Sequence, residues 1–188
     1  MGRWLRMHVP ARIDVLLPAL AGLLFAVPAN MLPATPAAAQ QTEQPCTAPE
    51  HHQFDFWIGR WTVSNPQGQT VGSSHVSRVS GGCAVLEQWQ AAGGPPGTSI
   101  NFYEPKTGKW NQVWVGGGGL ILRLVGTFHD GAMELDGTTP RQTPQGQVLD
   151  RIRWTPQDDG SVEQLWLVSD DDGATWRPIF RGTYRPTP

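Results

Sequence analysis

The sequence predicts an all-β fold, a single antiparallel up-and-down barrel of about ten strands. Three observations lead there. From Phe54 onward, short apolar-rich runs alternate with turn-forming residues at the spacing of a barrel or sandwich. No stretch beyond residue 40 shows the 3.6-residue apolar period of an amphipathic helix. Three of the runs also repeat a polar side chain two residues before a Trp, which puts both on one face of a strand. Closing so long a sheet removes its exposed edges. A two-sheet β-sandwich of the same strands is the alternative architecture.

In chain order, residues 1–39 read as a secretory signal peptide. Arg3, Arg6 and Arg12 precede an apolar run from Val15 to Val27, and Ala37-Ala38-Ala39 forms a small-residue cleavage site before Gln40. The run is shorter than the ~20 residues needed to span a bilayer, so no membrane anchor is expected after cleavage. The implied location is the periplasm or the exterior. The whole chain has a formal charge of −2, and the leader removes three arginines but only one acid, Asp14. A domain this acidic lacks the basic face that nucleic-acid binding requires.

Residues 40–53 are polar and Pro-punctuated, a leader arm ahead of a barrel domain at 54–188. Cys46 and Cys83 are the only cysteines. An even count in an exported chain favours a disulfide over a metal site or nucleophile, with two free buried thiols as the alternative. The bond would stabilise the fold by about 3–4 kcal/mol. The expected strands are 54–64, 70–79, 84–91, 98–104, 109–115, 120–128, 131–136, 148–155, 161–168 and 175–185. Between them stand turn sequences such as Asn65-Pro66-Gln67-Gly68, Pro105-Lys106-Thr107-Gly108, Asp130-Gly131 and Asp158-Asp159-Gly160.

The repeated tripeptide carries the functional signal. It occurs as Glu87-Gln88-Trp89, Gln112-Val113-Trp114 and Gln164-Leu165-Trp166. By period-2 parity, Val85 joins the first pair, Trp110 the second, and Val162 and Val168 the third. Aromatic walls with a few placed polar groups are the make-up of a small-molecule site. A buried polar network that merely satisfies the indole N–H groups would give the same pattern, as would a face turned to solvent.

Near the start of the domain stands Phe54-Asp55-Phe56-Trp57-Ile58-Gly59-Arg60-Trp61. Its G-x-W resembles the first strand of calycin barrels. There the Trp packs near the closed end under an Arg of the last strand, for which Arg181 and Arg185 are the candidates. The wider series adds Gly81-Gly82-Cys83, the polar-x-Trp elements and Asp172-Gly173-Ala174-Thr175-Trp176, in order. It resembles a family of exported bacterial proteins of undefined function across nearly all of the chain beyond the leader. The resemblance implies a lipocalin-like or nitrobindin-like barrel and supplies no catalytic residues. Nitrobindin-like barrels bind heme through a His, so heme is the one cofactor the resemblance brings in. The candidates would be His51, His52, His75 and His129, and none stands in a pattern that fixes it as a ligand.

Other chemistry is sparse. Ser169 to Trp176 fits the S-x-D-x-G-x-T-W hairpin of sialidase-type propellers, but one copy builds no propeller, and the element reads as a turn. Gly116 to Gly119 precedes a strand rather than a helix and is no phosphate loop. No metal-ligand spacing or nucleophile motif is present. The reading is therefore non-catalytic binding of a small apolar or aromatic ligand, with Trp61, Trp89, Trp114 and Trp166 as walls or floor. Glu87, Gln112 and Gln164 would orient its polar groups. The alternatives are a small lyase, isomerase or hydrolase using Glu87 as acid/base, and a solid-cored interaction module of the cell envelope.

Overall fold

A computed structural model describes residues 45–187; the signal-peptide reading lies outside them. Eleven strands are present: β1 (Gly59–Ser64), β2 (Thr70–Val79), β3 (Ala84–Ala91), β4 (Gly97–Glu104), β5 (Lys109–Gly116), β6 (Ile121–His129), β7 (Ala132–Gly137), β8 (Arg141–Thr143), β9 (Gly146–Pro156), β10 (Val162–Ser169) and β11 (Arg177–Pro186). Each pairs antiparallel with its chain neighbour, except that β7 pairs with β9 and β8 folds onto the outer part of β9. Pairing of β10 with both β9 and β11, and of β11 with β1, closes ten strands into a barrel. The architecture is an up-and-down barrel, consistent with a calycin-like topology. Local chemistry agrees with it: Asp130 and Gly131 both take positive φ, 48° and 72°, as the tight β6–β7 turn requires.

Because the strands alternate in direction, the turns at 80–83, 105–108, 130–131 and 157–160 gather at one end. That end is closed. The strand expected at 54–64 begins only at Gly59, because Asp55–Trp57 forms a 3₁₀ turn. An apolar run imitates a strand in sequence, yet here it turns inward as a plug. Phe54 stacks on Trp57 at 4.9 Å and meets Trp154 edge-on at 5.3 Å and Trp110 at 5.6 Å. Both Phe54 and Trp57 are fully buried, each worth about 2–3 kcal/mol of hydrophobic stabilisation.

The expected polar arm is part of this floor where it is described. Pro49–His52 is a second 3₁₀ turn, His51 is buried edge-on against Tyr103, and Gln53 Oε1 accepts a hydrogen bond from Trp110 Nε1. Two devices tie it down. One is the Cys46–Cys83 disulfide. The other is Arg78, which donates to the carbonyls of His51 and Gly82 at 3.0 and 2.6 Å and to the Asp55 carboxylate.

Three further details differ from the sequence reading. The short β8 was not anticipated, because three residues carry no measurable periodicity. The last strand starts at Arg177, since Ser169 to Trp176 is committed to a turn. In it the Asp171 carboxylate accepts from Ser169 Oγ, Thr175 N and Thr175 Oγ1, and these bonds hold its pKa down at about 2. Finally, neither Arg181 nor Arg185 lies over Trp61. Both alternate with the inward Tyr184 and so face out, and Arg181 pairs with Glu163 on the surface. Trp61 instead packs edge-on against Tyr184 and donates Nε1–H to the Trp57 carbonyl at 2.9 Å. The cation–π contacts among the described residues are Arg141 on Trp166 and Arg151 on Trp176.

Candidate functional site

Above the aromatic floor the barrel interior is not filled. A cavity of about 150 Å³ lies toward the open end and is lined by Glu87, Trp89, Gln112, Trp114, Leu122, Ile152, Trp154, Gln164, Trp166, Phe180 and Tyr184. All three polar-x-Trp pairs converge on it, from β3, β5 and β10. Trp61 is the one proposed lining residue that does not reach it, standing behind Tyr184.

The seats of two indoles are built by glycine. A Cβ placed on Gly97 would come within 2.3 Å of the Trp114 ring, and one on Gly72 within 2.5 Å of the Trp89 ring. Each ring therefore lies across a neighbouring strand where only hydrogen fits. Gly97→Val should evict Trp114 from this seat, destabilising the fold by about 1–3 kcal/mol and reshaping the cavity. A ligand titration in which the variant matches the parent would show the seat to be irrelevant to the site. The third indole is pinned by polar contacts instead. Trp166 Nε1 donates to Asp150 Oδ1 at 2.8 Å, and buried Asp150 also accepts two hydrogen bonds from Arg141, each at 2.8 Å. This bidentate partner raises the pKa of Arg141.

Glu87 sits at the centre of a network spanning β2 to β5. Ser74 Oγ donates to its Oε1 at 3.0 Å and Ser99 Oγ to its Oε2 at 3.1 Å. Asn101 Nδ2 reaches Ser99 Oγ at 3.0 Å, and Gln112 Nε2 donates to Asn101 Oδ1 at 2.6 Å. The pair register explains the convergence: Glu87 stands opposite Ser99, and Asn101 opposite Gln112. Burial disfavours the carboxylate and outweighs the two hydroxyl donors, so the Glu87 pKa rises to about 7. Across the cavity, the Tyr184 hydroxyl donates to Gln164 Oε1. Burial and the charge of Glu87 hold that phenol well above its usual pKa, so it stays protonated.

Ser74, Ser99, Asn101, Asp150, Trp154, Phe180 and Tyr184 were not anticipated as site residues. Short polar side chains on a strand resemble its solvent face, and only cross-strand register brings them to Glu87. Tyr184 could have been found, since it shares the inward parity of Gly182 and Phe180 on the last strand. The Trp154 Nε1 donor is buried without a protein partner.

None of the four described histidines lines the cavity. His51 is in the floor, His75 alternates with inward Ser74 and Val76, and His52 and His129 are half exposed beside carboxylates. With a cavity of this size, the residues present do not fit heme. No group of three or more His, Cys, Asp or Glu side chains is placed to hold a metal ion among the described residues. No protein-family model matches this chain, and no curated protein matches it.

Proposed function

We propose that this protein binds a small, largely apolar or aromatic molecule in the open half of its barrel, without transforming it. The supporting observation is the convergence of three polar-x-Trp pairs on one cavity of about 150 Å³. Six aromatic rings supply most of its wall, and Glu87, Gln112 and Gln164 are the polar groups available to orient a ligand. A void of that size suits a molecule of roughly benzene dimensions. Export, with the disulfide of the floor, would place this binding in the periplasm or outside.

A titration of intrinsic fluorescence with small apolar and aromatic compounds tests the reading, since three of the indoles line the mouth. Quenching or a blue shift is expected, and Leu122→Trp should abolish it by filling the void. Absence of any response across a broad panel, with Leu122→Trp folding as stably as the parent, would count against a ligand site. A second reading, acid/base catalysis, is favoured by the position of the Glu87 pKa near neutrality. It requires turnover of a compound that binds, and loss of that turnover in Glu87→Gln.

A further inference from the structure

The lining of the cavity is unbalanced in charge. Glu87 is buried to 4% exposure and accepts from two neutral hydroxyls, Ser74 and Ser99. No Lys, Arg or His is among the residues that line the cavity, and Glu87 forms no ion pair among the described residues. Arg141, which stands over the Trp166 ring, is already committed to Asp150. The aromatic wall of the cavity that Glu87 lines is made by Trp89, Trp114, Trp154, Trp166, Phe180 and Tyr184. In so small a space a ligand lies within the ~6 Å reach of a cation–π contact to several rings.

We propose that the ligand is a small organic cation bearing an alkylated ammonium group, enclosed by the indoles of Trp89, Trp114 and Trp166 and countered by the Glu87 carboxylate. This inference rests on the binding reading above and narrows its ligand class. Ring faces attract a cation through their quadrupole, and alkyl groups on nitrogen spread the charge and remove the donors that bulk water would otherwise hold. An anion in the same place would meet an uncompensated carboxylate in a medium of low dielectric. A neutral molecule would gain nothing from the ionised carboxylate and would meet Glu87 as a protonated hydrogen-bond donor or a silent wall.

These alternatives differ in their response to pH. The groups facing Glu87 are Ser74 from β2, Ser99 from β4 and the Gln164–Tyr184 pair from β10 and β11. The hydroxyls do not titrate in the useful range, and the Tyr184 phenol stays neutral. Binding of a cation therefore draws on the ionised form of Glu87 and expels its proton to solvent. The affinity should be flat above pH 7 and fall roughly tenfold for each unit below about 7. A neutral ligand should show the opposite trend or none.

The experiment is a calorimetric or fluorescence titration of the intact protein with choline and with its uncharged isostere, in which tert-butyl replaces trimethylammonium. At pH 8.5 choline should bind at least about tenfold more tightly than the isostere, a preference set by the ionised Glu87 carboxylate, which offsets the cost of desolvating the cation. At pH 5.5 that preference should vanish. Glu87→Gln should erase the preference at both pH values while the isostere still binds. Equal or tighter binding of the isostere at pH 8.5 would overturn the cation assignment and leave the apolar-ligand reading standing. If neither compound binds, nor any member of the neutral panel, both readings fall. The wild-type pH comparison carries the test even if the variant folds poorly.

Discussion

Glu87→Gln is expected to stabilise the unliganded protein by about 3 kcal/mol at pH 8.5 and to leave its stability at pH 4 nearly unchanged. The sign follows from the direction of the shift. Burial raises the folded pKa from 4.5 to about 7, so the folded state holds its proton more tightly than the unfolded chain. The contribution of neutral Glu87 is fully present below 4.5 and is lost as pH rises through about 7. Each unit of displacement is worth about 1.4 kcal/mol, which sets the magnitude at about 3 kcal/mol for a group with almost no contact with solvent. Gln keeps a carbonyl for one hydroxyl and offers an amide to the other without ionising. Urea unfolding at pH 4, 6 and 8.5 measures the effect. Curves for parent and variant that run parallel across this range would mean that the carboxylate ionises in the folded state at no cost. A saturating cationic ligand should narrow the gap at pH 8.5 by stabilising the parent more than the variant.

Removing the disulfide should cost about as much, with a different signature. Cys46 and Cys83 are separated by 37 positions, and closing such a loop stabilises a fold by about 3–4 kcal/mol. Cys46→Ser/Cys83→Ser should therefore unfold at markedly lower denaturant concentration, equally at every pH. Its ligand affinity should be retained, because the bond stitches the floor and the cavity lies in the opposite half of the barrel. A loss below about 0.5 kcal/mol would show that the Arg78 clasp on His51, Gly82 and Asp55 already holds this corner. Loss of binding in a variant that remains folded would mean instead that floor and mouth are coupled.

What the sequence revealed and what it concealed divide along physical lines. Period-2 parity is strong where large side chains alternate with polar ones, so β3, β5 and β10 and the face of each polar-x-Trp pair were legible. Parity says nothing about which strands oppose one another. Ser74, Ser99 and Asn101 are indistinguishable in sequence from outward residues, and only register sets them against Glu87 and Gln112. Phe54 to Trp57 misled for the opposite reason: a dense apolar run has no period, and a buried 3₁₀ plug and a buried strand look alike. The Arg expected over Trp61 came from resemblance rather than parity, and the alternation of Arg181 and Arg185 with Tyr184 already pointed them outward. Glycine was legible as punctuation in turns, but not at Gly72 and Gly97, where its role depends on a ring from another strand.

Those two glycines have a consequence for how the protein can change over time. The floor tolerates little drift, because Phe54 packs against Trp57, Trp110 and Trp154 at once. At the mouth, Trp89 and Trp114 each rest on a glycine of a neighbouring strand, and a methyl group gained at Gly72 or Gly97 would displace that ring. Change in the shape of the cavity can thus proceed one ring at a time, at positions outside its lining.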